Sequence, residues 1–204
     1  MTRIRIAVLT GAVVAVAGGA LLAGPLGVKR TEAAGIELTR ADVNLIVQHA
    51  IASANATNSG FRTAPTVQKT KMQIAVVARD GKLLFLYSMP DAWVGSIDIA
   101  IAKARTAAFF SSDQNALTSR VIGQVSQPNG PLWGIWASNQ IGISGSQEFR
   151  NGIITFPGGV PLYKGGELVG GIGVSGDGVD QDEAVAFGGA AGFAPGAGVA
   201  KLGF

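Results

Sequence analysis

Residues 72–89 read MQIAVVARDGKLLFLYSM, and this stretch decides the class of fold. Met72–Ala78 and Lys82–Met89 are rich in β-branched, aromatic and long aliphatic residues, and Arg79-Asp80-Gly81 joins them. An Asp-Gly step between two apolar runs is a hairpin signal, because glycine accepts the left-handed backbone that a tight turn requires. The two runs are therefore expected to pair as antiparallel strands.

Working outward, Thr39 followed by Asp42 reads as an N-cap with a short capping-box partner. Val43, Ile46, Val47, Ala50, Ile51 and Ala54 then recur at helical spacing and predict a helix to about Ala56, ended by Asn58-Ser59-Gly60. A polar loop covers 57–70. Past the hairpin, Pro90-Asp91 closes the second strand. Ile97, Ala100, Ile101, Ala104, Ala107 and Ala108 predict a helix over Ser96–Phe110, with Lys103 and Arg105 off its apolar face. A shorter helix is expected over Gln114–Ile122. A long ordered loop follows over 123–152, carrying Trp133 and Trp136, and then a strand over Ile153–Phe156. Val160–Lys164 and Glu167–Val174 predict a second hairpin about Gly165-Gly166, and Asp180 with Glu183 a capping box for a last helix through about Phe187. Two hairpins and no crossover give an α/β (α+β) protein, with helices packed on an antiparallel sheet.

Met1–Arg5 carries two arginines and no acid, Ile6–Leu22 is apolar with small residues, and Pro25, Lys29 and Arg30 follow. This is the pattern of a secretory signal peptide; an uncleaved anchor is the other reading. Either one places the folded part outside the cytoplasm, secreted or periplasmic, and a membrane is a partner only if the segment is retained. The chain divides into 1–34, a domain over 35–187, and a Gly/Ala-rich tail over 188–204 expected to be poorly ordered. The net charge of +3 rests on the leader. Removing residues 1–34 takes away four cations and one acid and leaves equal numbers of each. No basic stripe remains to track phosphates, so no nucleic-acid partner is expected. The absence of cysteine excludes disulfides, thiolate catalysis, iron–sulfur clusters and c-type haem attachment.

Gly171-Ile172-Gly173-Val174-Ser175-Gly176 matches G-x-G-x-x-G, yet no second parallel strand or distant acid follows to complete a dinucleotide site. It reads as a glycine-bearing strand and turn. Ser175 fails as a nucleophile elbow because Asp177 stands where the second glycine belongs. Asp177, Asp180, Asp182 and Glu183 lack EF-hand spacing and suit a helix N-terminus. No catalytic residue is assigned.

His49 is the single histidine. At about 100° per residue it points away from the direction shared by Val43, Val47, Ala50 and Ala54, with Leu45 one turn before it on the same off-core face. Two readings stay open: an exposed histidine without a role, or a haem or metal ligand at a subunit interface, with Leu45 against the porphyrin. Met89 and Tyr163 border turns and are further candidates to reach a pocket.

Four stretches recur in order: the helix opening at Leu38-Thr39; Ile74–Leu83, similar to a "VAVVDxxGxL" hairpin; Met89-Pro90-Asp91-Ala92 with Ser96 and Ala102-Lys103-Ala104-Arg105-Thr106-Ala107; and Phe156–Pro161 with Gly170–Gly176 and Asp180–Glu183. Together they resemble the GlcG/HbpS-like family, which includes the C-terminal domain of PduO-type proteins. Ser88 in place of an arginine, the insertion of Pro90 and the longer 123–152 segment depart from the family pattern. The resemblance implies an α-β-α sandwich around a five-stranded antiparallel sheet, assembly into homo-oligomers and, in exported members, haem binding linked to capture, sensing or oxidative stress. Some members hold haem through a histidine of the first helix, the place of His49. Others use a threonine, for which Thr106 is the candidate. The family's association with glycolate implies a rival: an accessory protein or enzyme acting on a small hydroxy acid or a corrinoid. Backbone N–H groups of the turns at 157–161 and 170–178 would then cradle the anion.

Overall fold

In the computed structural model, which describes residues 36–133 and 152–204, the first helix begins at the capping box that its sequence demands. Asp42 N–H donates to Thr39 Oγ1 at 3.2 Å, and Thr39 N–H donates to the Asp42 carboxylate at 2.8 Å. Two donors that a helix start leaves unpaired are thereby satisfied. Helix α1 runs Arg40–Ala56 and buries Val43, Ile46, Val47, Ala50 and Ala54.

The expected first hairpin forms, with β1 at Gln73–Ala78 and β2 at Leu83–Ser88 paired antiparallel and Gly81 in the left-handed region at φ 79°. A 3-10 turn at Val94–Ser96 leads into α2, Ile97–Phe110. The second hairpin pairs β4, Gly159–Lys164, with β5, Glu167–Ser175, and β5 also lies antiparallel to β1. The order across the sheet is β2-β1-β5-β4. One face, with Ile74, Val76, Ile172 and Val174, packs on α1 and on α4, Val179–Gly189. The other, with Ala75 and Val77, packs on Ala100, Ala104 and Ala108 of α2. The architecture is the α-β-α sandwich that the sequence implies.

Glycines explain how closely α2 lies on the sheet. A Cβ on Gly173 would run into the Ala100 carbonyl, and one on Gly171 into that of Ala104. The G-x-G part of the glycine motif is thus a helix–sheet contact, backbone against backbone.

The sheet has four strands, not the five expected. Ile153–Phe156 forms no strand, because side chains satisfy its backbone: Ile154 exchanges both its N–H (3.0 Å) and its C=O (2.7 Å) with Thr106 Oγ1, and the Phe156 carbonyl accepts from Ser119. Lys103 and Arg105, expected off the apolar face, are instead buried at 1% and 8% exposure, Lys103 Nζ reaching Asp182 and the Val174 carbonyl and Arg105 Nε the Gly81 carbonyl. The Gln114–Ile122 helix gives way to a short strand, β3 at Asn115–Leu117, and to α3 at Ser119–Val125, N-capped by Thr118. Trp136 and the rest of 134–151 lie outside the described residues.

Helix α4 starts at Gly178 with no side-chain cap, not at an Asp180–Glu183 capping box. Both acids turn instead to Arg120, at 2.6 Å each. The residues after Gly188, expected to be poorly ordered, pack onto the domain. Phe193 and Val199 are buried, and β6, Ala200–Leu202, pairs parallel with β3. Among the described residues no helix is long and apolar enough to cross a membrane.

Candidate functional site

Two places concentrate chemistry. The first is a cavity of about 360 Å³ between the loop after α1, the turn entering α2 and the β5–α4 turn. Phe61, Trp93, Ile99, Phe156 and Val179 form apolar walls, and Arg62, Ser96, Lys103, Ser175, Asp177 and Asp182 supply the polar lining. At its base Lys103 Nζ donates to Asp182 Oδ2 at 2.7 Å and to the Val174 carbonyl at 3.0 Å, with Ser175 Oγ at 3.4 Å. Burial drives both partners toward neutrality, holding the Lys103 ammonium below its usual value and pushing the Asp182 carboxyl up, while their mutual attraction opposes this. Asp182 Oδ1 accepts from Asp177 N–H at 3.0 Å. The Asp177 carboxylate accepts from Gly60 N–H at 2.7 Å, from Gly178 N–H at 2.9 Å and from the Ser59 hydroxyl.

These bonds engage part of the backbone expected to cradle an anion. The N–H groups of the 170–178 turn that were to cradle an anion, Asp177 and Gly178, are taken by the turn's own acids. In the 157–161 turn, Gly159 N–H donates to Ser119 Oγ at 2.8 Å. The acidic cluster is likewise dispersed among Ser59, Lys103 and Arg120, and among the described residues no group of three or more acids or histidines is placed to hold a metal.

The second place is the outer face of α1. His49 is half-buried, and its Nδ1 is buried with no hydrogen-bond partner among the described residues. Leu45, one turn before it, is 43% exposed. The off-core direction expected for His49 therefore holds for its neighbour fully and for the ring in part. The other three candidates stand elsewhere. Met89 is buried in the core, its Sδ accepting from Met72 N–H at 3.4 Å. Thr106 is fully buried and holds Ile154. Tyr163 is buried, its hydroxyl donating to the Ser112 (2.8 Å) and Asn115 (3.1 Å) carbonyls, and burial pushes its pKa up to about 12. Neither of the two cavities described, the second lying near Ile36, Arg79 and Glu167, is lined by any of the five.

Sequence reasoning missed Lys103, Asp182, Ser96 and Arg62. The one available signal was Lys103 itself, a charge set among Ala100, Ala102, Ala104 and Ala107, where small neighbours let another backbone close over it.

Among known proteins, the chain is 34% identical over 112 residues to an uncharacterised 15.0 kDa protein of the dhaT–dhaS intergenic region of Citrobacter freundii, covering 55% of this chain and 68% of that one. It is 33% identical over 113 residues to the corrinoid adenosyltransferase PduO of the same organism, covering 55% of this chain but only 29% of that longer protein. Its fold matches a solved PduOC–haem complex with a TM-score of 0.59, at 24% identity, over 79% of this chain and 98% of that one. The family model described as haem degrading protein HbpS-like matches residues 38–191, from the capping box of α1 past the end of α4, and the chain belongs to that family.

Proposed function

We propose that this is an extracytoplasmic haem-binding protein, acting in haem capture, sensing or protection from oxidative stress, with His49 as the iron ligand and Leu45 against the ring. The observation that carries the reading is the His49 imidazole. Its Nδ1 is buried and has no hydrogen-bond partner among the described residues, which is rare for a native polar atom. It stands one turn from an exposed leucine on the same helix. An imidazole on a partly exposed helix face beside an apolar side chain suits haem iron and porphyrin. Membership of a family described as haem degrading, and the likeness to a solved PduOC–haem complex, support the choice of ligand. Bound haem would supply a redox-active iron; the chain would bind, orient and shield it. Met89, Thr106 and Tyr163 are engaged inside the domain, so His49 and Leu45 are the residues that would hold the group.

A homo-oligomer fits this reading. Strand β2 is a sheet edge with Leu83, Leu84 and Phe85 exposed by 38%, 37% and 39%. Apolar edges of this kind are pairing surfaces, and a second copy is the occupant that the reading requires. The basic, then apolar, start of the sequence supports export.

Titrating haemin into the purified protein tests the proposal. A Soret shift is expected that is lost in His49→Ala and weakened in Leu45→Arg. No shift, or an unchanged one in His49→Ala, overturns it. Cobalamin in the same titration tests the corrinoid alternative that the PduO likeness raises.

A further inference from the structure

The cavity above Lys103 plays no part in the haem reading, and its hydrogen-bond inventory points to a ligand of its own. Each oxygen of Asp177 and of Asp182 already accepts at least one hydrogen bond. Lys103 directs its ammonium to Asp182, Val174 and Ser175. What stays uncommitted is a set of donors. Ser96 is 3% exposed and occupies the N-cap position of α2, yet its side chain makes no capping bond and has no partner among the described residues. A serine at an N-cap ordinarily turns its oxygen onto the helix N–H groups; this one lines the cavity instead. Arg62 gives one N–H to the Asp91 carbonyl at 2.6 Å, which ties the loop after α1 to the turn entering α2 at the rim. A guanidinium has five N–H donors, and the others here have no partner among the described residues.

The walls are aromatic and fixed. Trp93 lies over Gly95 so closely that a Cβ there would stand 2.5 Å from its ring. Phe61, Trp93 and Phe156, exposed by 74%, 62% and 52%, gather apolar ring surface around the cavity. A volume near 360 Å³ is at the lower end for small-molecule sites, room for one ring with a short polar arm.

We propose that this cavity is a second binding site, separate from His49, for a small apolar carboxylate, its ring or aliphatic body between Trp93 and Phe156 and its carboxylate on Arg62 and Ser96. A cationic ligand is disfavoured because every carboxylate oxygen of Asp177 and Asp182 already accepts a hydrogen bond. An uncharged one would leave Arg62 without the charge-assisted bond it is placed to give.

Calorimetric titration of the full chain with phenylacetate, and separately with phenylacetamide, tests this. The acid is expected to bind with a change in tryptophan emission, and the amide at least about tenfold more weakly, as for one lost hydrogen bond to a charged group. Arg62→Gln should bring the acid to the level of the amide, and Ser96→Ala should weaken it several-fold. Lys82→Gln, which removes the same charge outside the cavity, should leave it unchanged. No binding of phenylacetate, equal binding of the two probes, or an equal loss in Lys82→Gln overturns the proposal.

Discussion

Asp42 caps the first helix and reaches the sheet with one oxygen: Oδ2 accepts both Thr39 N–H and Lys164 Nζ, the latter at 2.6 Å. The Lys164 hydrogen bond, with those from Thr39, holds its pKa down at about 2 against 3.8 unperturbed. A depressed carboxylate stabilises the fold fully above its unfolded value and loses that contribution as pH falls through the folded one. Asp42→Asn should therefore cost about 1 kcal/mol near neutrality, given partial exposure and screening, and only a small part of that at pH 2, where the folded carboxylate is about half protonated; denaturant melts at the two pH values measure this. Lys103 is a harsher case. Lys103→Met leaves Asp182 buried without its cation, a loss of about 3–5 kcal/mol by analogy with broken buried pairs. Replacing both residues, as Lys103→Met with Asp182→Leu, should recover much of the difference. Equal destabilisation in the single and double variants would show that the charges are not what matters. Neither the position of Lys103 nor its burial was legible in the sequence. A helical wheel sees only neighbours along the chain, and the partner that makes this lysine tolerable inside lies 79 residues away. His49 is the opposite case. Its off-core direction followed from periodicity alone, while the empty hydrogen-bond capacity of Nδ1 depends on what packs around it.

Elements with local signals were legible. Helix α1 is announced by its cap and by its apolar spacing, and both hairpins by glycines that the turns place at positive φ, Gly81 at 79° and Gly165 at 61°. Ile153–Phe156 has the composition of a strand but no edge to pair with, since Thr106 and Ser119 reach its backbone first. Strand propensity carries no information about that competition. Strands β3 and β6 were missed for a related reason: their pairing is parallel, between Asn115–Leu117 and Ala200–Leu202, and no turn residue joins them. The edge strand β2 yields a prediction at this scale. Phe85→Lys places a charge on the exposed edge, and light scattering should find the proposed homo-oligomer reduced to a smaller species with its circular dichroism unaltered. An unchanged mass would remove β2 from the interface.

For the molecule as a whole, two hairpins with helices between them gave an antiparallel sheet with helices packed on it, and the layer order came with the family resemblance. The extent of the domain was not legible. The Gly/Ala-rich end has the composition of a loose tail, yet Phe193 and Val199 are buried and Phe187 meets Phe204 edge-on at 5.4 Å. A few apolar residues among many small ones suffice to anchor a segment when a groove is ready for them. Composition averages conceal such anchors.

Gly171 and Gly173 leave no side-chain cushion between α2 and β5. Two backbones in direct contact cannot part by degrees, since there is no rotamer to yield and no thickness to compress. Helix and strand should therefore breathe as one slab. In deuterium exchange the amides of β5 and of the inward side of α2 should be the slowest in the protein and share one opening free energy, while those of β2 exchange well before them.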